Sequence, residues 1–258
     1  MSGPGGQRTI LGMQTNVHEI SDGIYRLSTT VQEVAPGGFT FNQYLLTGDE
    51  PGLFHTGARQ LFPLVSEAVA KVMPVEDLSW ISFGHVESDE CGSMNQWLAA
   101  APESTVVFNP LGCMVSLNDL CDRPPHPVDM EQPFRDIGGH VVRCIPTPHV
   151  PHGWEAQVLF DETTRTLFCG DLFSQVGEGP ALVHDTDLIT PSVLAEDMFQ
   201  GTALTPNTAP TLRLLADLEP RTLALMHGPA FAGDCRQALL DLADVYEARL
   251  TDSLALAG

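Results

Sequence analysis

Histidine and carboxylate side chains occur together directly after a short apolar segment at residues 78–83. His85, Glu87 and Asp89 form the pattern His-x-Glu-x-Asp, and Glu90 follows at once. Alternate residues of an extended segment share a face, so the three side chains of the pattern can converge on one point. Imidazole and carboxylate groups together are typical ligands of zinc, iron and manganese. Because 33 of the 258 residues are acidic, the pattern by itself is a weak indication of a metal site.

Three further apolar segments also end in histidine or carboxylate side chains. In chain order, these side chains are His149 and His152, then Asp171, then His227. The rigid ends of strands are a suitable scaffold for a metal site because they hold ligand side chains in place. We therefore expect the four segments to bring their polar side chains to one metal centre.

The apolar segments that carry these residues are predicted to be strands. Strand-forming runs at residues 18–29 and 39–57 come first, with Ile20, Ile24 and Leu27 predicted to face the interior. Strands and helices then alternate, and a hairpin and further helices follow. This order favours an α/β architecture, an αββα four-layer sandwich of mixed sheets flanked by helices, over a Rossmann sheet or a barrel. We predict a loose tail at residues 1–15 and a single domain at residues 16–258.

The chain resembles the metallo-β-lactamase superfamily, whose motif H-x-H-x-D-H is followed by His, Asp and His. Here the motif reads H-x-E-x-D-E, and its Glu resembles the flavodiiron, oxygen-binding branch. The resemblance implies the metallo-β-lactamase fold and a dinuclear centre in which Asp171 bridges the two metal ions. The ligands that it implies are His85, Glu87, Asp89, His152, Asp171 and His227. His152 is preferred to His149 because its spacing from the neighbouring ligands is closer to that of the family.

Two positions depart from the family pattern. Glu90 stands where the family usually has a further histidine, and we predict a catalytic role for it, as a group that orients or protonates. His55 stands in His-Thr-Gly where the superfamily has Asp-Thr-Gly, and we predict a structural role for it. Four other histidines have no partners at ligand spacing and are predicted to lie on the surface or in loops: His18, His126, His140 and His184.

The ligand set favours iron. Three imidazoles and three carboxylates are harder than the His-rich zinc version of the fold, so two iron ions are expected, with zinc or manganese as alternatives. Without cations, two carboxylates about 4 Å apart repel by about 4 kcal/mol at an effective dielectric constant of about 20. We therefore expect metal occupancy to be coupled to stability.

Three functions fit this centre. In the first, two irons bind and reduce O2 or NO; the resemblance then places His85, Glu87 and His152 on one iron and Asp89 and His227 on the other. No bound flavin is expected, because the chain ends about where the family's flavodoxin module would begin, so a separate reductase would supply electrons. In the second, a metal-bound hydroxide hydrolyses a small ester, thioester or phosphodiester. In the third, the metals only stabilise a signalling module, so enzyme activity is left open.

Charge and composition exclude other classes of function. With 12 basic against 33 acidic residues, the net charge of −21 argues against nucleic-acid binding and against an anionic membrane surface. The sequence has neither a run of about 20 apolar residues nor the apolar core of a signal peptide, so a cytoplasmic location is predicted. The six cysteines are dispersed, and we expect them to be reduced. Homodimerisation is implied only by the resemblance.

Overall fold

The computed structural model describes residues 13–132 and 134–257. The predicted tail at residues 1–15 therefore lies almost wholly outside the described residues, and the first strand begins at Thr15. Among the described residues, none of the helices combines the length and apolar character that crossing a lipid bilayer requires.

Alternating apolar residues near the start of the described chain form antiparallel hairpins, which open a seven-stranded mixed sheet. From its fourth strand onward, neighbouring strands are parallel. In sheet order the strands are β1 (Thr15–Ser21), β2 (Ile24–Val31), β3 (Phe39–Leu46), β4 (Gly52–Phe54), β5 (Trp80–Ser82), β6 (Thr105–Phe108) and β7 (His126–Pro127).

The second sheet also has seven strands and is also mixed. Its strands are β8 (Phe134–Asp136), β9 (Val141–Pro146), β10 (Gln157–Asp161), β11 (Thr166–Phe168), β12 (Leu182–Val183), β13 (Thr222–Ala224) and β14 (Ala230–Phe231). They lie side by side in the order β12-β14-β13-β11-β10-β9-β8, so β11 pairs in parallel with β13 across a long connection.

Helices occupy connections between strands, and the last helix follows β14. They are α1 (Phe62–Ala70), α2 (Ser88–Cys91), α3 (Met94–Ala100), α4 (Pro110–Gly112), α5 (Asn118–Leu120), α6 (Ile189–Phe199), α7 (Thr208–Ala216) and α8 (Cys235–Ala257). A π-helical segment, Cys113–Leu117, joins α4 to α5.

The core is divided into layers by the alternation of side chains along each strand. In β3, Leu45 packs with the residues of α1 and α3, whereas Tyr44 packs between the two sheets. In β10, Phe160 packs with the residues of α7 and α8, whereas Leu159 packs between the sheets. The order helix, sheet, sheet, helix confirms the predicted αββα sandwich.

Polar contacts also join the two sheets at the end of β13. The side-chain amide of Asn42 donates to the carbonyls of Leu225 and Gly228, both at 2.8 Å, and Tyr44 Oη donates to the Leu225 carbonyl at 2.5 Å. All four residues are buried. The first sheet therefore holds the backbone on both sides of His227.

The structure shows which of the residues predicted to be buried or exposed are so. Ile20, Ile24 and Leu27 are buried as predicted, and the cysteines are free thiols. His140 lies in the loop before β9, as one of the two predicted alternatives had it, but not on the surface: its side chain is 6% exposed, and Nδ1 lies 2.8 Å from Oδ2 of the fully buried Asp161. A buried imidazole needs a polar partner, and the carboxylate at the end of β10 provides it.

Candidate metal centre

The predicted ligands lie together because their strands end at the same edge of the sandwich. Strands β11 and β13 run in parallel, so the residues after their carboxyl ends, Asp171 and His227, are neighbours. The residues after β5 approach them from the first sheet: Asp89 Oδ2 lies 3.4 Å from His227 Nε2. The site is therefore built from both sheets.

The segment from His85 to Asp89 is only partly extended, contrary to the prediction that its alternate residues share one face of a strand. Glu87 is extended (φ −133°, ψ 157°), but it caps the short helix α2, and its carbonyl accepts from the Cys91 backbone N–H at 2.8 Å. Asp89 therefore lies in the first turn of a helix, where a negative charge is favourable. This turn, rather than strand alternation, brings its carboxylate towards His227.

Four of the residues form a tight group, which we call the four-donor group: His85, Glu87, His152 and Asp171. Each offers one ligand atom, and these atoms all lie within 4.8 Å of one another. Glu87 Oε2 lies 2.9 Å from His85 Nε2 and 3.0 Å from His152 Nε2. Asp171 Oδ2 lies 3.7 Å from each of the same two nitrogens. Two imidazoles thus face two carboxylates around a common centre.

The two remaining predicted ligands, Asp89 and His227, form a second group, which we call the two-donor group. His227 Nε2 lies 3.4 Å from Asp89 Oδ2 and 3.2 Å from Asp171 Oδ1. Asp171 therefore turns one oxygen towards each group. This is the arrangement that a carboxylate bridging two ions would have.

The tautomer of His227 sets which ring nitrogen faces the carboxylates of the two-donor group. His227 Nδ1 lies 2.8 Å from the Thr40 carbonyl, which requires a proton on Nδ1. Nε2 of the neutral ring then directs a lone pair at two carboxylates, which is unfavourable unless a proton or a cation lies between them. Burial lowers the pKa of His227, but the carboxylates of Asp171 and Asp89 beside Nε2 outweigh burial and raise the pKa to about 10.

The four-donor group has the same character. Burial lowers the pKa of His85, but the carboxylates of Glu90 and Glu87 outweigh burial and raise it to about 12. Hydrogen bonds with His152 and His85 hold the pKa of Glu87 well below its usual range. Asp171 Oδ1 is buried and has no hydrogen-bond partner among the described residues. The donor atoms thus fit cations, which would satisfy all of these groups together.

Glu90 lies behind His85 and is fully buried. Its Oε2 accepts hydrogen bonds from the backbone N–H groups of Gly84 (2.6 Å) and His85 (2.7 Å), and its Oε1 lies 3.2 Å from His85 Nδ1. A Cβ at position 84 would lie 2.9 Å from Oε2, so this close approach needs a glycine. Leaving two buried amides without an acceptor would cost about 1–3 kcal/mol each. The carboxylate is therefore fixed towards the interior, and a direct role in catalysis stays a prediction.

His55 and His149 take different positions. His55 is fully buried, with its Nε2 3.5 Å from Glu90 Oε1, and burial lowers its pKa despite the nearby Glu90. It adopts a left-handed backbone conformation (φ 66°), as does His149 (φ 65°). His149 is exposed, whereas His152 belongs to the four-donor group.

A cavity of about 270 Å³ opens over both groups, and its lining includes residues that were not predicted from the sequence. The Phe39 ring stacks on His227 with ring centres 4.2 Å apart, and Phe199 packs against Phe39. Glu196 lies one turn before Phe199 in α6, and Thr202 Oγ1 lies 2.7 Å from its Oε2. No sequence pattern marks these residues, because α6 and the loop after it reach the site only through the tertiary fold.

Comparisons with known proteins support this architecture. The chain is 27% identical to diflavin flavoprotein A 1 of Thermosynechococcus vestitus over 201 residues, which is 74% of this chain and 34% of that protein. It is 25% identical to diflavin flavoprotein A 6 of Nostoc sp. over 229 residues, which is 86% of this chain and 38% of that protein. The chain thus spans little more than a third of the length of these curated relatives.

Solved structures share the fold at lower sequence identity. Fragment 1–254 of diflavin flavoprotein A 5 from Nostoc sp. superposes with a TM-score of 0.76 at 20% identity, covering 95% of this chain and 98% of that fragment. Rubredoxin oxygen:oxidoreductase of Desulfovibrio gigas gives 0.76 at 18% identity, covering 89% of this chain and 62% of that one. The flavodiiron protein of Giardia intestinalis gives 0.77 at 17% identity, covering 90% and 59%.

The match to a protein family covers most of the sandwich. The model of the family described as ODP family beta lactamase matches residues 39–223, from β3 to β13, and so includes five of the six predicted ligands. Together with the metallo-β-lactamase architecture shared with the flavodiiron structures, this match identifies the chain as a member of the ODP family of beta-lactamases.

Proposed function

We propose that the chain holds two iron ions and that it binds and reduces O2 or NO at this pair. His85, Glu87 and His152 would hold one ion, Asp89 and His227 the other, and Asp171 would bridge them. The observation that carries the proposal is the position of Asp171, which turns Oδ2 towards the four-donor group and Oδ1 towards His227 at 3.2 Å. The two iron ions, when bound, would pass electrons to the gas.

The donor types favour iron over zinc. Glu87 brings a third carboxylate to the site, and mixed imidazole and carboxylate donors suit iron and manganese. Its Oε2 lies within hydrogen-bonding distance of both His85 and His152, so the carboxylate is directed at the centre of the group although its side chain is 53% exposed.

The surrounding residues hold these donors in place. Thr40 fixes the proton of His227 on Nδ1, and Glu90 faces Nδ1 of His85. A carboxylate or carbonyl behind a ligating imidazole fixes the tautomer and orients the ring. We therefore assign Glu90 the role of a positioning residue that acts through His85.

The cavity walls have distinct roles in the proposed reaction. Phe39 and Phe199 form an apolar wall beside His227, which limits the access of water to that side of the site. Glu196 also lines the cavity, and Thr202 donates to its carboxylate. A carboxylate at this place can carry protons that the reduction of O2 or NO consumes.

Reduction also needs a source of electrons, and we propose a separate reductase as the partner that supplies them. Homodimerisation stays a prediction from the resemblance. Size-exclusion chromatography with light scattering would measure the number of chains per particle.

Metal analysis combined with gas consumption tests the proposal. The purified chain is loaded anaerobically with Fe(II), its metal content is measured, and O2 or NO uptake is followed with an electrode in the presence of a chemical reductant. We expect two irons per chain and uptake that depends on iron. The matched pair Glu87→Gln and Glu103→Gln removes one carboxylate inside the site or one exposed carboxylate outside it, and only the first should lose uptake. Two zinc ions per chain together with ester hydrolysis would instead support the hydrolase.

A further inference from the structure

The two groups of donors around Asp171 are unequal. The four-donor group contributes three side chains of its own, His85, Glu87 and His152, in addition to Asp171, and their ligand atoms all lie within 4.8 Å of one another. The two-donor group contributes only Asp89 and His227 in addition to the shared carboxylate. An ion in the second position would therefore have fewer protein donors than an ion in the first.

Glu90 does not make up this difference. It is adjacent to Asp89 in sequence, but its Oε2 accepts from the backbone N–H groups of Gly84 at 2.6 Å and His85 at 2.7 Å. Turning its carboxylate towards the two-donor group would leave both buried amides without an acceptor, and it would remove the negative charge that faces His85 Nδ1 at 3.2 Å. Glu90 therefore strengthens the four-donor group and adds nothing to the other.

Aromatic rings, rather than polar side chains, pack against the imidazole of His227 in the described structure. Its ring is covered by Phe39, whose centre lies 4.2 Å away, and Phe41 packs edge-on against it at 5.2 Å. An ion held there would complete its coordination from the cavity, with water or a small ligand.

We infer that the two positions fill in order: the four-donor group binds its ion first and more tightly, and the ion of the two-donor group is weakly held and exchangeable. This inference rests on the proposed dinuclear centre. The chain then has a stable form with a single ion, and the open, exchangeable position is the one beside His227. Metal supply would therefore control how much of the protein carries the complete pair.

Titration of the metal-free chain tests this order without any measurement of turnover. Co(II) is added anaerobically to the wild-type chain while heat release and visible absorption are recorded, and the bound metal is counted after dialysis. We expect two resolved binding steps, with the second ion lost on dialysis. A single step that takes up both ions together would overturn the inference and leave the proposed centre intact. Failure to bind any ion would overturn both.

Variants identify which group fills first. In Asp89→Asn the first step should persist and the second should be lost, so that one ion remains. In Glu87→Gln the tight step should be lost. Retention of the tight step in Glu87→Gln together with its loss in Asp89→Asn would reverse the order and overturn the inference. Asp185→Asn and Glu103→Gln, at exposed positions outside the site, are the matched controls and should bind as the wild type does. Circular dichroism of each variant verifies that it is folded.

Discussion

Glu90 and His85 form a buried pair in which the carboxylate lies behind the imidazole: Oε1 is 3.2 Å from Nδ1, while Nε2 of the same ring faces Glu87 Oε2 at 2.9 Å. The other oxygen of Glu90 is held by two backbone N–H groups. One side chain thus links the backbone after β5 to an imidazole whose Nε2 belongs to the four-donor group. The orientation of His85 is consequently set by the fold before any ion binds.

Replacing Glu90 by Gln should weaken metal binding more than it weakens the fold. The amide oxygen can still accept from both backbone N–H groups, but the negative charge behind His85 is lost. Removal of such a partner typically lowers metal affinity by about 10–100-fold. Competition with a chromophoric chelator measures the affinity, and Glu103→Gln is the control for charge. Unchanged affinity in Glu90→Gln would show that Glu90 does not act through His85.

Replacing Asp171 by Asn should abolish binding of both ions. An amide has a single oxygen donor and carries no charge, so it can neither bridge two cations nor offset their charge. Elemental analysis after metal loading and dialysis should give a content near that of the metal-free chain. Asp185→Asn should bind as the wild type does. Wild-type metal content in Asp171→Asn would mean that the ligand set is wrong.

Removing the metals should lower the stability of the chain. A ligand that binds only the folded state stabilises it by about 4 kcal/mol when its free concentration is about a thousand times the dissociation constant. Scanning calorimetry with and without a strong chelator should therefore show a lower unfolding temperature in the chelated sample. Asp171→Asn serves as the control, because the chelator should leave its unfolding temperature unchanged. Equal unfolding temperatures for loaded and chelated wild type would exclude metal binding by the native fold.

Replacing Asp161 by Asn should destabilise the chain at neutral pH by about 1–3 kcal/mol, because a buried hydrogen-bonding group loses its charge. Burial raises the pKa of Asp161, but hydrogen bonds from His140 and Thr164 outweigh burial and lower it. Since the pKa is lower in the folded than in the unfolded chain, the ionised carboxylate stabilises the fold above a pH of about 4.

This stabilisation is lost as the pH falls through the folded-state pKa. The difference in unfolding free energy between wild type and Asp161→Asn should therefore shrink on acidification. Urea unfolding at a series of pH values measures it, with Asp185→Asn as the control at an exposed carboxylate. A difference that is constant with pH would rule out the ionised carboxylate as its source.

Much of the fold can be predicted from the sequence, because the positions of apolar residues reflect burial. Ile20, Ile24 and Leu27 are predicted from their positions to face the interior, and all three are buried, the first two between the sheets and Leu27 against the helices. Polar residues that directly follow apolar strands, such as Asp171 after β11, are placed by the strand itself. Their approach to one another then follows from the topology.

Other features depend on hydrogen bonds between segments that sequence spacing does not reveal. The direction of the Glu90 side chain is set by the backbone amides of Gly84 and His85 once α2 has formed. His140 is buried because Asp161 lies beside it and provides a polar partner. His140 directly precedes β9, and Asp161 is the last residue of β10. No motif links His140 to Asp161. Only the register in which β9 pairs with β10 brings the two side chains together.

The six proposed ligands are shared equally between the two halves of the sandwich. Three follow β5 in the first sheet, and three follow strands of the second, where Asn42 and Tyr44 already hold the backbone beside His227. Two bound metal ions would consequently act as a reversible crosslink between the sheets. The sheets could not separate without breaking the metal–ligand bonds. Backbone amides in both sheets should then exchange with deuterium at rates that slow together when metal is added.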